Sequence, residues 1–222
     1  MIAEESISNN EKPDISLPKT KVVLLIIESM KQSVPYFKSY IAAKHHNKAS
    51  LSEDDLTQIF IEQAQIIIRK EDYPFNLSSQ YRDIYNLSRG YSDFYFYPNE
   101  LDISTTSLFS VESKRLPSTE ASREKEYVIG TSKNGGIERY KIEKHGKGLA
   151  DCGLIGFIEK ENPNYWKKTI NNWIKDLASK DKTWNDDEIL HEAQSETEYV
   201  LLNSIAHRKS NYIRLLHLWI SV

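Results

Sequence analysis

The stretch Asp93-Phe94-Tyr95-Phe96-Tyr97, with Leu108-Phe109-Ser110-Val111-Glu112-Ser113-Lys114 after it, decides how this chain is read. Both segments are rich in strand-forming residues, and prolines at 98 and 117 close them, so each reads as a strand. Side chains alternate along a strand. Glu112 and Lys114 therefore share one face, and Phe109, Val111 and Ser113 take the other. In an antiparallel hairpin, the register that matches the apolar faces sets Phe94 opposite Val111 and Phe96 opposite Phe109. Each such pair contributes on the order of 0.2–1 kcal/mol. The same register sets Asp93 opposite Glu112, with Cβ atoms about 5 Å apart. Opposed like charges destabilise unless something sits between them, and a divalent cation with oxygen ligands is the simplest occupant. A slip of one residue would send the carboxylates to opposite faces. Lys114 follows on the acidic face, where an ammonium beside two carboxylates and a metal orients water or stabilises charge on a phosphate.

Upstream, Val22, Val23, Ile26, Ile27 and Met30 recur at helical spacing, which predicts a helix over 21–44 that Pro35 kinks or ends. Ser52 and Asp55 form a capping-box-like start. Leu56, Ile59, Phe60, Ile66 and Ile67 then mark a second helix, with Glu62 at the edge of its stripe. Residues 72–92 read as turn-rich. Downstream, 118–135 is polar and Gly135-Gly136 makes a break before a short helix over 137–144. Cys152–Ile158 reads as a buried strand. Pro163 opens a helix carrying Trp166, Ile170, Trp173, Ile174 and Leu177. Residues 179–198 are charged and loop-like, and 199–206 and 212–220 form a terminal hairpin. This order predicts an α/β fold, a mixed sheet with helices packed on it. Residues 1–20 read as a flexible arm and 21–222 as a single domain.

Composition narrows the chemistry. The single cysteine excludes a disulfide framework and a Cys-rich zinc module. The net charge of −3 argues against a basic coat for nucleic acid. Residues 114–147 differ: nine Lys or Arg face five Glu, a local balance of +4. Arg115, Arg139, Lys141 and Lys144 are the candidates there for phosphate contacts. The apolar run Val22–Ile27 is far short of the roughly 20 residues of a membrane span, so a soluble, cytoplasmic protein is expected. His45-His46 reads as solvated; His145, His191, His207 and His217 read as structural or surface residues. Cys152 and the Trp166–Leu177 stripe read as core.

An acid at the start of one strand and an acid-x-Lys triplet on the next resemble the signature of the PD-(D/E)XK, or restriction-endonuclease-like, nuclease superfamily. Asp93 and Glu112-Ser113-Lys114 match it residue by residue, with Ser92 where the family name has Pro. The triplet is the only Glu-x-Lys in the chain. The resemblance covers about residues 52–178 and leaves the first 50 and the last 40 or so outside it. It implies a core of helix, three strands, helix and strand, with Asp93 and Glu112 holding Mg²⁺ (or Mn²⁺) and Lys114 catalytic. It also implies a helical glutamate facing the metal, for which Glu62 is the candidate. Gly135-Gly136-Ile137-Glu138-Arg139-Tyr140 resembles a helix start after the catalytic strand in bacterial members, whose amides can receive a phosphate. The implied function is hydrolysis of phosphodiester bonds in DNA (or RNA), in bacterial nucleic-acid defence or processing. Two alternatives stay open. One is an inactive nuclease-like module that binds nucleic acid or a partner protein through the 114–147 segment or the terminal hairpin; the plain reading of the triplet itself is a surface ion pair of Glu112 and Lys114 on a solvated strand face. The other is an assembly subunit, in a homodimer or larger complex, whose 21–44 helix packs on another chain.

Overall fold

The fold is that of a computed structural model, which describes residues 19–44, 51–82, 90–102 and 106–222. The arm expected over 1–20 lies outside the described residues except for its last two, which already open the first helix, and His45-His46 lies outside them altogether. The elements run α1 (Lys19–Lys44), α2 (Glu53–Lys70), β1 (Phe75–Arg82), β2 (Tyr91–Pro98), β3 (Phe109–Leu116), α3 (Gly136–Lys141), β4 (Asp151–Ile158), α4 (Pro163–Lys180), β5 (His191–Ser195), β6 (Tyr199–His207) and β7 (Tyr212–Ser221).

The seven strands form one mixed sheet in the order β1-β2-β3-β4-β7-β6-β5. β1, β2 and β3 are an antiparallel meander, and β4 lies parallel between β3 and β7. The β2–β3 register sets Phe94 against Val111 and Phe96 against Phe109, as the apolar faces required. The terminal hairpin is no appendage. Its strand β7 pairs with the whole of β4 through Arg214 to Ser221, and β6 and β5 extend the sheet beyond it.

Apolar side chains cover both faces of the sheet. On one, Phe94, Phe96, Phe109, Val111 and Phe157 meet Ile26, Phe37, Phe60 and Ala64 of α1 and α2. Phe60 lies 5.8 Å from Phe37 and 6.1 Å from Phe94, ring centre to ring centre. On the other, Cys152, Leu154, Leu215 and Trp219 meet Ile137 and Tyr140 of α3 and Trp166, Ile170 and Ile174 of α4. A buried chain of hydrogen bonds crosses this second core: Trp219 Nε1 donates to Tyr127 Oη, which lies 2.8 Å from His217 Nδ1, while His217 Nε2 lies 2.8 Å from Ser204 Oγ.

Two expectations need correction. β1 occupies the segment read as turns, and β5 the segment read as loop. α1 runs through Pro35 without ending. The proline forfeits one backbone bond, but Val34, Phe37 and Ile41 around it are buried and hold the helix on the core. That burial also means that α1 uses its apolar side within its own chain. The structure bears out α2 with its capping box: Ser52 Oγ accepts from the Asp55 amide at 3.1 Å, and Asp55 returns the bond to the Ser52 amide at 2.8 Å.

Candidate active site

The β2–β3 ladder reaches the Phe94–Val111 pair, and a side chain takes over the next bond. Asp93 Oδ2 accepts the Ser113 amide at 2.7 Å. Asp93 therefore lies beside the triplet, on the sheet face away from the phenylalanines. Glu112 is fully buried there, and Lys114 is only 5% exposed. Glu112 Oε1 lies 3.2 Å from Lys114 Nζ and also bonds Arg139 Nη1. His145 Nδ1 lies 3.1 Å from Glu112 Oε2, near but not aligned as a hydrogen bond.

The glutamate that α2 brings to this cluster is Glu53. It is the first residue of α2, and its Oε1 lies 3.0 Å from Lys114 Nζ while its Oε2 accepts the Arg115 amide at 2.9 Å. Glu62, the residue expected in this role, is exposed on α2 and accepts from Gln58 at 3.0 Å. It lies two and a half turns further along the helix (nine residues at 3.6 per turn), which carries it away from the end of β3. Glu53 was hidden in the sequence because acids in a first helical turn are ordinary N-terminal features.

Arg139 and His145 are the other residues that sequence reading did not assign to the acids. α3 brings them in. Tyr140 fastens it to the sheet, its hydroxyl between the carbonyls of Ser110 (3.1 Å) and Gly153 (2.9 Å). Gly136 fits where a methyl group would meet Leu154 at 2.8 Å and the Tyr127 carbonyl at 2.9 Å, close over Lys114. Gly90, just before β2, leaves room for His145, whose ring a Cβ there would meet at 2.4 Å. Arg208, from the β6–β7 turn, bonds the carbonyls of Tyr140 (2.8 Å) and Gly146 (3.0 Å), so the terminal hairpin also fixes the loop that carries His145.

The electrostatics separate the two strand acids. Burial, and then the charge of Glu112, push the Asp93 carboxyl up to about 7. Burial would raise Glu112 as well, but Lys114, His145 and Arg139 outweigh it and bring the carboxyl down to about 2. Lys114 is held well above its ordinary value: burial opposes its charge, and Glu112, Glu53 and Asp93 overcome that penalty. Glu112 and Lys114 are therefore firmly charged at neutral pH, while Asp93 sits near its midpoint.

The candidates for phosphate contacts are placed differently. Arg115 forms a two-pronged pair with Glu159, with Nη2 to Oε2 at 2.6 Å. Lys144 donates to Asn134 Oδ1 at 2.8 Å. Lys141 is buried, paired with the fully buried Glu188, with its ammonium 4.7 Å from the Trp184 ring centre. It is a structural cation rather than a surface one, so the local excess of positive charge overstates what ligands can meet. The amides at the α3 start are also used: Gly136, Ile137 and Glu138 donate to the carbonyls of Glu126 (2.8 Å), Tyr127 (3.1 Å) and Val128 (3.0 Å). They cannot receive a phosphate in this arrangement. Arg139, in contrast, lines an open cleft of about 770 Å³ formed with residues 121–126, 129–131 and 134.

A divalent cation suits the oxygen donors here in a restricted way. Asp93 Oδ1 has no hydrogen-bond partner among the described residues, and Glu112 Oε2 is buried without a hydrogen bond. Both oxygens of Glu53 are engaged. Among the described residues, no group of three or more His, Cys, Asp or Glu stands ready as a complete metal cage. Two carboxylates, with water and substrate oxygens for the rest, is the manner in which Mg²⁺ is commonly held. Among the described residues, no helix is long and apolar enough to cross a membrane. No protein-family model, curated protein or solved structure matches this chain.

Proposed function

We propose that the chain is a metal-dependent nuclease that hydrolyses phosphodiester bonds of DNA, in bacterial nucleic-acid defence or processing as the resemblance implies. The observation that carries this reading is the convergence of Asp93, Glu112, Lys114 and Glu53 near the start of β2, the latter half of β3 and the start of α2. The element order from α2 to β4 supports it: helix, three-strand meander, helix, then a strand parallel to the third. That is the core the PD-(D/E)XK resemblance implies.

In this reading Asp93 and Glu112 would hold Mg²⁺, with Mn²⁺ as a substitute, which would supply polarisation of a phosphoryl oxygen and a more acidic water. The protein supplies the rest. Lys114, kept protonated by three acids, faces the developing phosphate charge as a fixed ammonium. Glu53 holds that ammonium in place and ties it to the β3 backbone at Arg115. The apolar core beneath β3 leaves the strand no freedom to slip, so the acids stay on one face.

A second reading has a specific observation behind it. Glu112 Oε1 already engages two cations, Lys114 and Arg139, which is also how a closed, inactive ion-pair network is built. Cleavage assays separate the two. Purified wild-type protein nicks or degrades DNA in Mg²⁺ and is inert in EDTA, and Lys114→Ala and Asp93→Ala lose that cleavage while keeping the wild-type circular dichroism. Cleavage that either variant retains, or that EDTA leaves intact, rejects the assignment. A wild-type protein that binds DNA but never cleaves it supports the inactive module.

A further inference from the structure

The Arg139 guanidinium is under-used where it sits. Arginine has five N–H donors in a fork that fits a carboxylate or phosphate with two parallel bonds. On Glu112 it uses one, from Nη1, and its Nε is buried with no partner. Glu112 does not depend on it alone, since Lys114 lies 3.2 Å from the same oxygen and His145 3.1 Å from the other. The Arg139 side chain remains 20% exposed and forms part of the wall of the 770 Å³ cleft. Lys125 and Arg123 stand in that wall too, with Glu124 and Glu126, and Arg123 and Glu126 pair at 2.6 Å. A cation with spare donors thus stands between a buried acid that has other partners and an open cleft whose wall carries three cations and two acids.

We propose that Arg139 is a phosphate anchor shared between two anions: Glu112 holds it when the cleft is empty, and a DNA backbone phosphate in the cleft takes it when the Glu112 charge is engaged or removed. The identity of the anion rests on the nuclease reading; the competition for Arg139 does not. Loading the acids with a cation would then free the anchor, so cation and substrate favour each other's binding.

The test is fluorescence anisotropy of a short fluorescein-labelled DNA duplex, titrated with full-length protein in EDTA, where metal and cleavage play no part. Glu112→Gln removes the competing charge and binds the duplex about tenfold more tightly than wild type. Arg139→Ala binds more weakly than wild type, with a salt slope smaller by about one. Arg139→Ala combined with Glu112→Gln shows none of the tightening. If the tightening survives without Arg139, removal of an acid explains it and the proposal fails. It also fails if neither wild type nor Glu112→Gln binds the duplex. Should Arg139→Ala not fold, Arg139→Lys keeps a cation on Glu112 but lacks the fork, and the tightening must shrink severalfold in its background; an undiminished gain overturns the proposal. Failure of the nuclease reading is separable: the anisotropy pattern then holds while Mg²⁺-dependent cleavage is absent.

Discussion

Asp93 accepts the backbone amide of Ser113 at 2.7 Å, the bond that closes the β2–β3 hairpin beyond its last paired residues. A ladder bond made by a carboxylate keeps that carboxylate beside the Glu112 charge. The arrangement is costly without a counter-ion, and burial together with Glu112 raises the Asp93 carboxyl from 3.8 to about 7.

That shift has a definite sign in stability. Because the folded protein holds the Asp93 proton more tightly than the unfolded chain, stability falls as pH rises from about 4 to about 7, and the loss is complete above that window. Asp93→Asn keeps the acceptor for Ser113 and removes the charge. In EDTA its gain over wild type should be on the order of a few kcal/mol at about pH 8 and small at about pH 4, read from denaturant melts. An equal effect at both pH values would mean that Asp93 is not strained.

Glu53 and Glu62 make a paired prediction. Glu53→Gln loses the ion pair to Lys114 and lowers cleavage by roughly 10–100-fold, the range for a group that orients a functional neighbour. Glu62→Ala changes cleavage little and stability by no more than about 0.5 kcal/mol. Steady-state cleavage rates of the two variants decide this, and the reverse ranking would return the helical role to Glu62.

Lys141 is predicted to matter for folding and not for DNA. Its partner Glu188 is fully buried and also accepts the amides of His207 and Asn185, at 2.6 Å and 3.0 Å. Lys141→Met leaves that charge without its cation and costs about 3–5 kcal/mol. The salt dependence of duplex binding by the folded variant stays at the wild-type slope. A slope smaller by about one would show that Lys141 meets a phosphate.

Much of the fold was legible because its signals are local. The apolar faces of Asp93–Tyr97 and Leu108–Lys114 admit one good register, Ser52 and Asp55 mark a helix start within four residues, and Pro163 opens α4. β1 escaped because its sequence, Phe-Asn-Leu-Ser-Ser-Gln-Tyr-Arg, is mostly polar, and Phe75 and Leu77 supply its buried anchors only once α2 covers them. β5 is an edge strand whose side chains are nearly all exposed, so it carries no apolar alternation to read. The same division runs through the site. Asp93, Glu112 and Lys114 follow from strand alternation. Glu53, Arg139 and His145 reach them from 61, 27 and 33 positions away by sequence numbering (Glu53 to Lys114, and Glu112 to Arg139 and His145), through packing of α2 and α3 that no short pattern encodes.

The proposed function turns on one divalent cation held by both Asp93 and Glu112. A crystal of the wild-type protein soaked in Mn²⁺ and examined by anomalous scattering decides this. A single peak in contact with a carboxylate oxygen of each residue is expected, with Arg139 drawn off Glu112. Saturating Mn²⁺ with no peak between them, and Arg139 still bonded to Glu112, would contradict it.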